Sequence, residues 1–145
     1  MMRVRLVLLL LLVAACATTT PTVDAPLETS ASLRVFQEQQ GDTMYMEGQV
    51  SYLSVNGTEQ EFRPETTEVT LLVDMDVRVG EVTVESWQRP CDGNCDTLDA
   101  PANQCSMSVE VDAGQTVRLL VSFTPGPDPC VLSLIEEDPI DVGSG

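Results

Sequence analysis

MYMEGQVSYLSVNGTEQEFR, residues 44 to 63, alternates apolar and polar side chains and is interrupted by a single Asn-Gly. Met44, Met46, Val50 and Tyr52 fall on one face of an extended chain, because successive side chains of a strand point to opposite sides. Asn56-Gly57 then supplies two residues that tolerate positive φ, which a type I′ turn requires at both central positions. The pattern predicts a strand from Met44 to Val55, a tight turn, and a returning strand from Thr58 to Arg63.

The same period recurs toward the C-terminus. After Pro64 come Val69 to Val73, then Glu81 to Gln88, with Val82 and Val84 on one side and Thr83 and Glu85 on the other. Cys105, Met107, Val109 and Val111 are expected inward against Ser106, Ser108 and Glu110; Val117 to Phe123 and Val131 to Ile135 complete the set. No stretch of eleven or more residues has the three-four spacing of an amphipathic helix. Seven or eight short strands predict an all-β fold, an antiparallel β-sandwich of immunoglobulin-like or prealbumin-like type.

The N-terminus reads MMRVRLVLLLLLVAAC: two arginines, an apolar run, then Val13-Ala14-Ala15-Cys16. This resembles the signal peptide and lipobox of bacterial lipoproteins. The resemblance implies that residues 1–15 are cleaved, that Cys16 becomes the N-terminus, and that its sulfur carries a diacylglyceryl group, with further acyl chains such as palmitate. Ala17 lacks the aspartate that in some bacteria marks inner-membrane retention. The apolar run from Leu6 to Ala17 is far short of the ~20 residues that span a bilayer. Lipid chains contribute roughly 0.8 kcal/mol per buried CH2, so the expected protein is extracytoplasmic and anchored to the membrane without crossing it. Residues 16–32, rich in Thr, Ser, Ala and Pro, read as a tether; residues 33–138 form the domain, and 139–145 a frayed tail.

The anchor changes the cysteine arithmetic. Five cysteines are odd, but with Cys16 on lipid the remainder is Cys91, Cys95, Cys105 and Cys130, an even set in an oxidising compartment. Two disulfides are expected, in any of three connectivities. If consecutive strands from Glu81 run antiparallel, the connections 91–104 and 124–130 lie at one end of the sandwich, and all four sulfurs should gather there. A bridge from Cys91 or Cys95 to Cys105 would contribute about 3 kcal/mol in the chain-entropy model.

Charge excludes several partners. The chain has twenty-three acidic residues, seven basic ones, all arginine, and a net charge of −16. Nucleic acid needs clustered Lys and Arg, so none is expected as a partner; the acidic surface favours a soluble monomer. With neither histidine nor lysine, Ser-His-Asp, Cys-His and Ser-Lys catalysis and lysine Schiff bases are all excluded. Carboxylate pairs such as Asp74 with Asp76 or Glu136 with Glu137 are simplest as a solvated face, so no enzyme is expected.

The loop PCDGNCDTLDAPANQC, Pro90 to Cys105, has metal readings to weigh. Zinc is disfavoured by the three residues between Cys91 and Cys95 and by the lack of histidine. Calcium has a better case: Asp92, Asn94 and Asp96 have one-three-five spacing and Asp99 could add a carboxylate. The glycine comes too early for an EF-hand, Asn103 stands where the bidentate Glu would be, and the same residues populate ordinary turns. The expectation is no cofactor beyond the lipid, with calcium the alternative. Trp87-Gln88-Arg89-Pro90-Cys91-Asp92-Gly93-Asn94-Cys95, followed by Leu98-Asp99, Pro101 and Cys105, also resembles a module of small, uncharacterised bacterial lipoproteins and secreted proteins. That resemblance implies a β-sandwich and no assigned activity.

Two classes of function remain. A binding module of the cell envelope would present Trp87, Arg89 and Leu98 to a protein or glycan, since Trp and Arg are enriched at hot spots. A structural or accessory protein would rely on its acidic surface and tether, with Trp87 packed under the loop and Arg89 capping carbonyls.

Overall fold

A computed structural model of the chain describes residues 30–40, 48–63, 66–91 and 95–139. Residues 1–15 of the expected signal peptide, Cys16, Met44 and Met46, and the chain beyond Pro139 lie outside them. Among the described residues the strands are β1 (Ser30–Gln39), β2 (Gln49–Val55), β3 (Thr58–Phe62), β4 (Thr70–Arg78), β5 (Gly80–Pro90), β6 (Ala102–Val111), β7 (Thr116–Phe123) and β8 (Cys130–Leu134). They form two four-stranded sheets, β4-β1-β7-β8 and β3-β2-β5-β6. Every neighbouring pair is antiparallel except β1 and β7. The fold is a β-sandwich, and Leu33, Val35, Val82, Val84, Val111, Leu119 and Val121 are fully buried within it. In an immunoglobulin sandwich the first strand lies beside the second. Here β1 sits between β4 and β7 while β2 belongs to the opposite sheet, which leaves the prealbumin-like arrangement.

β1 is the strand the sequence reading missed, for residues 30–32 were assigned to the tether. Its Ala31, Leu33 and Val35 do alternate inward, against Ser32 and Arg34. The small residues at its start blend with the tether composition, and Phe36 is buried on the opposite face from Val35, so that the buried residues run on without alternating; the bulge at this point lies in β4, where Leu72 is the extra residue. The strand nonetheless occupies an inner position of its sheet.

The Asn-Gly hairpin forms as expected, with φ of 50° at Asn56 and 80° at Gly57 and Val55 opposite Thr58. Asn56 Oδ1 accepts the Thr83 N–H at 2.9 Å, which ties the turn to β5. The faces of β2 divide differently from a single buried stripe. Leu53 and Val55 enter the core between the sheets, whereas Val50 and Tyr52 join a second cluster with Cys91, Trp87, Cys95 and Leu98. Both faces of β2 are covered, so alternation alone could not identify the inner one.

The chain beyond β8 is fastened as far as Asp138. Arg34 and Arg118 are register partners on the parallel strands β1 and β7, and Asp138 binds both, with Arg118 Nε at 2.8 Å. Hydrogen bonds from Arg118, followed by the charge of Arg34, hold the Asp138 carboxyl below its usual pKa. Asp74 binds the same Arg34 at 2.8 Å, and its hydrogen bond is the leading cause of a raised guanidinium pKa.

Candidate functional site

The two disulfides are Cys91–Cys95 and Cys105–Cys130, with Cα separations of 4.9 and 5.4 Å. Cys130 therefore meets Cys105, and no bridge joins Cys105 to Cys91 or Cys95. Cys105 lies on the inner face of β6 with Met107 and Val109, so its bridge staples an edge strand of one sheet to an edge strand of the other. Closing a 25-residue separation is worth about 3–4 kcal/mol in the chain-entropy model, against about 2 kcal/mol for the four-residue loop. Both cysteine-bearing connections do sit at one end of the sandwich. The sulfurs divide between the two faces of the sheet, because Cys91 shares the outward parity of Trp87 and Arg89 on β5.

On that outer face Trp87 stacks on Tyr52, with centroids 5.5 Å apart and ring planes within 4°. Burial, followed by the Glu61 carboxylate that accepts the Tyr52 hydroxyl at 3.2 Å, raises the phenol pKa. Arg89 donates to the carbonyls of Asp99 at 2.8 Å and Leu98 at 3.1 Å. Leu98 bridges Cys91 through backbone pairing, and the Asp99 N–H binds the Pro90 carbonyl at 2.8 Å. Trp87, Arg89 and Leu98 thus come together, and they hold the loop against the sheet. Gly48 belongs to the same closure: its carbonyl accepts the Cys91 N–H, and a Cβ at Gly48 would meet the Cys91 carbonyl oxygen at 3.2 Å. Of the calcium candidates, Asp92 and Asn94 lie outside the described residues. Asp96 and Asp99 belong to no group of three or more potential metal ligands among the described residues.

A different feature occupies the interior of the same end. Moving along the inward register, Val82 and Val84 of β5 give way to Ser86 and Gln88; Val55 and Leu53 of β2 give way to Ser51 and Gln49; Leu33 and Val35 of β1 give way to Gln37 and Gln39. These strand ends surround a cavity of about 390 Å³ lined by Gln39, Gln40, Gln49, Gln88, Asn103 and Phe123, with Thr124, Pro125, Gly126 and Pro129 from the β7–β8 connection. Gln88, only 1% exposed, donates to Gln39 Oε1 at 2.9 Å and accepts from Asn103 Nδ2 at 2.9 Å.

Asn103 reaches this relay through a backbone irregularity. Ser86 pairs with Cys105 but Gln88 with Ala102, so β6 carries an extra residue opposite Trp87. Asn103 adopts φ of 50° there, a conformation Asn tolerates better than most residues. Bulges of this kind re-aim side chains.

Three buried polar atoms have no partner among the described residues: Gln37 Oε1, Gln49 Oε1 and Ser51 Oγ. All belong to this polar inward register, and each would ordinarily cost about 1–3 kcal/mol if left unmet. The sequence reading passed over these glutamines because glutamine is usually an exposed residue. The available signal was their parity with the core valines of the same strands. A scan against models of known protein families finds no match to this chain, and a search of curated proteins finds none.

Proposed function

We propose that the chain is a non-catalytic ligand-binding module of the bacterial cell envelope, held at the membrane by lipid on Cys16 and taking its ligand at the amide-lined mouth. The observation that carries the binding reading is a cavity walled by the amides of Gln39, Gln40, Gln49, Gln88 and Asn103 at the stapled end of the sandwich, with Gln49 Oε1 on that wall buried without a partner among the described residues. The volume falls in the ~300–1,000 Å³ range of small-molecule sites, where a few convergent polar groups set orientation. The Cys105–Cys130 bridge supports this reading by limiting movement of the two sheets around the mouth, which lowers the ordering cost of binding.

Two experiments test the two halves of the reading. Intact mass of the membrane-extracted protein is expected to lack residues 1–15, carry acyl chains and gain four protons on reduction. An unacylated chain that retains Met1 would contradict the anchor. A screen of small neutral fragments by NMR is expected to give hits that move the side-chain amide signals of Gln49, Gln88 and Asn103 and disappear in Gln49→Met. A screen in which no fragment moves them contradicts the binding reading.

A further inference from the structure

Resting on the binding reading above, the geometry points to a narrower ligand class: we infer that the mouth takes a neutral, hydroxyl-rich ligand, a saccharide unit of a glycan. Charge supports this first. Twenty-three acids are distributed over the chain, yet the described residues lining the cavity are Gln, Asn, Thr, Pro, Gly and Phe, with no ionisable side chain among them. A carboxylate, phosphate or ammonium entering the mouth would lose hydration and find no countercharge among the described wall residues, a cost that disfavours it in a tight site. The wall chemistry fits a ligand that is polar and uncharged.

The hydrogen-bonding pattern narrows the class further. The relay Asn103–Gln88–Gln39 fixes three amides relative to one another. It engages one N–H of Asn103 Nδ2, both functional groups of Gln88 once each and one lone pair of Gln39 Oε1, leaving Asn103 Oδ1 and Gln39 Nε2 at its two ends outside the relay. One end offers an acceptor and the other a donor. Gln49 Oε1 adds an acceptor with no partner among the described residues. A hydroxyl both donates and accepts, so neighbouring sugar hydroxyls can answer an acceptor at one point and a donor at the next without any change in protonation. The prolines at 125 and 129, with the edge of the core at Phe123 behind them, complete the wall with apolar surface, and the C–H face of a pyranose ring can pack against the prolines. An extended peptide would instead be read through backbone hydrogen bonds along a sheet edge, and the mouth is built from strand ends and side-chain amides.

The test uses the full chain in detergent micelles, labelled with 15N and titrated with four probes: maltotetraose, chitotetraose, tetra-alanine and putrescine. At least one saccharide is expected to move the side-chain amide signals of Gln49, Gln88 and Asn103, while the Trp87 indole signal on the outer face stays in place. Gln49→Met, its backbone spectrum otherwise unchanged, is expected to weaken saccharide binding about tenfold, the factor that one net hydrogen bond supplies. If neither saccharide moves the amides but tetra-alanine, putrescine or neutral fragments do, the saccharide assignment is overturned and the binding reading stands. If no probe and no fragment moves them, both are overturned.

Discussion

The two ends of the sandwich interior differ most along β1, β2 and β5, whose inward residues change from apolar to polar. At one end Leu33, Val35, Val82, Val84, Val111 and Leu119 close the space between the sheets with apolar side chains. At the other, β1, β2 and β5 continue inward with Gln37, Gln39, Gln49, Ser51, Ser86 and Gln88, of which Gln39, Gln49 and Gln88 line a cavity, and three polar atoms are left without a partner among the described residues. Burial of apolar surface stabilises the first half by roughly 25 cal/mol per Å². The second half gives up much of that and adds desolvation costs. The covalent staple between the sheets sits at this weaker end, where packing contributes least.

The comparison can be broken most forcefully in the apolar half. Leu119→Ala should cost about 2–5 kcal/mol in denaturant unfolding, since a fully buried side chain leaves both a transfer loss and a cavity. Replacing Cys105 and Cys130 together by Ser should cost about 3–4 kcal/mol. The same change at Cys91 and Cys95 should cost about 2 kcal/mol and disturb the Trp87 environment on the outer face. Equal losses from the two pairs would refute the assignment of the inter-sheet bridge as the structural one.

Gln88→Leu sharpens the contrast within the polar half. It strands Gln39 Oε1 and Asn103 Nδ2 and should cost about 1–3 kcal/mol, even though leucine is the more hydrophobic residue. Ser51→Ala should act in the opposite direction, raising stability by up to about 1 kcal/mol, because it deletes a buried hydroxyl that has no partner among the described residues.

The smallest effects are at the surface and follow pH. Asp138 has a lowered folded pKa, so its contribution is complete above the unfolded carboxyl range and is lost as pH falls below about 4. Asp138→Asn should remove that part of the acid dependence of the melting temperature. Tyr52 has a raised folded pKa, so stability declines as pH rises past about 10, where the unfolded chain ionises more readily. Tyr52→Phe should flatten that alkaline decline.

These contrasts also show what the sequence made legible. Asn56-Gly57 was sufficient for the hairpin, because few other conformations suit that pair between strands. The inward set from Cys105 to Val111 was readable because one face of β6 is exposed and polar. β1 was not, since its first residues match a tether and Val35, Phe36 and Gln37 are buried in succession, on both faces of the strand. The choice among disulfide connectivities depended on side-chain parity at Cys91 and Cys105, on opposite faces of one sheet, which spacing along the chain does not encode. The mouth was hidden for a related reason: glutamine at a strand end reads as solvent-facing until the opposite sheet is seen to cover it.

The central claim is that this end is kept polar for a ligand at some expense of stability, as binding sites often are. Thermal unfolding of Gln49→Met combined with Ser51→Ala tests it most directly. The account predicts a melting temperature about 4 °C or more above the parent, as expected for a gain of about 1 kcal/mol in a domain of this size. A melting temperature below the parent would show that these side chains hold the fold together, and would contradict the claim.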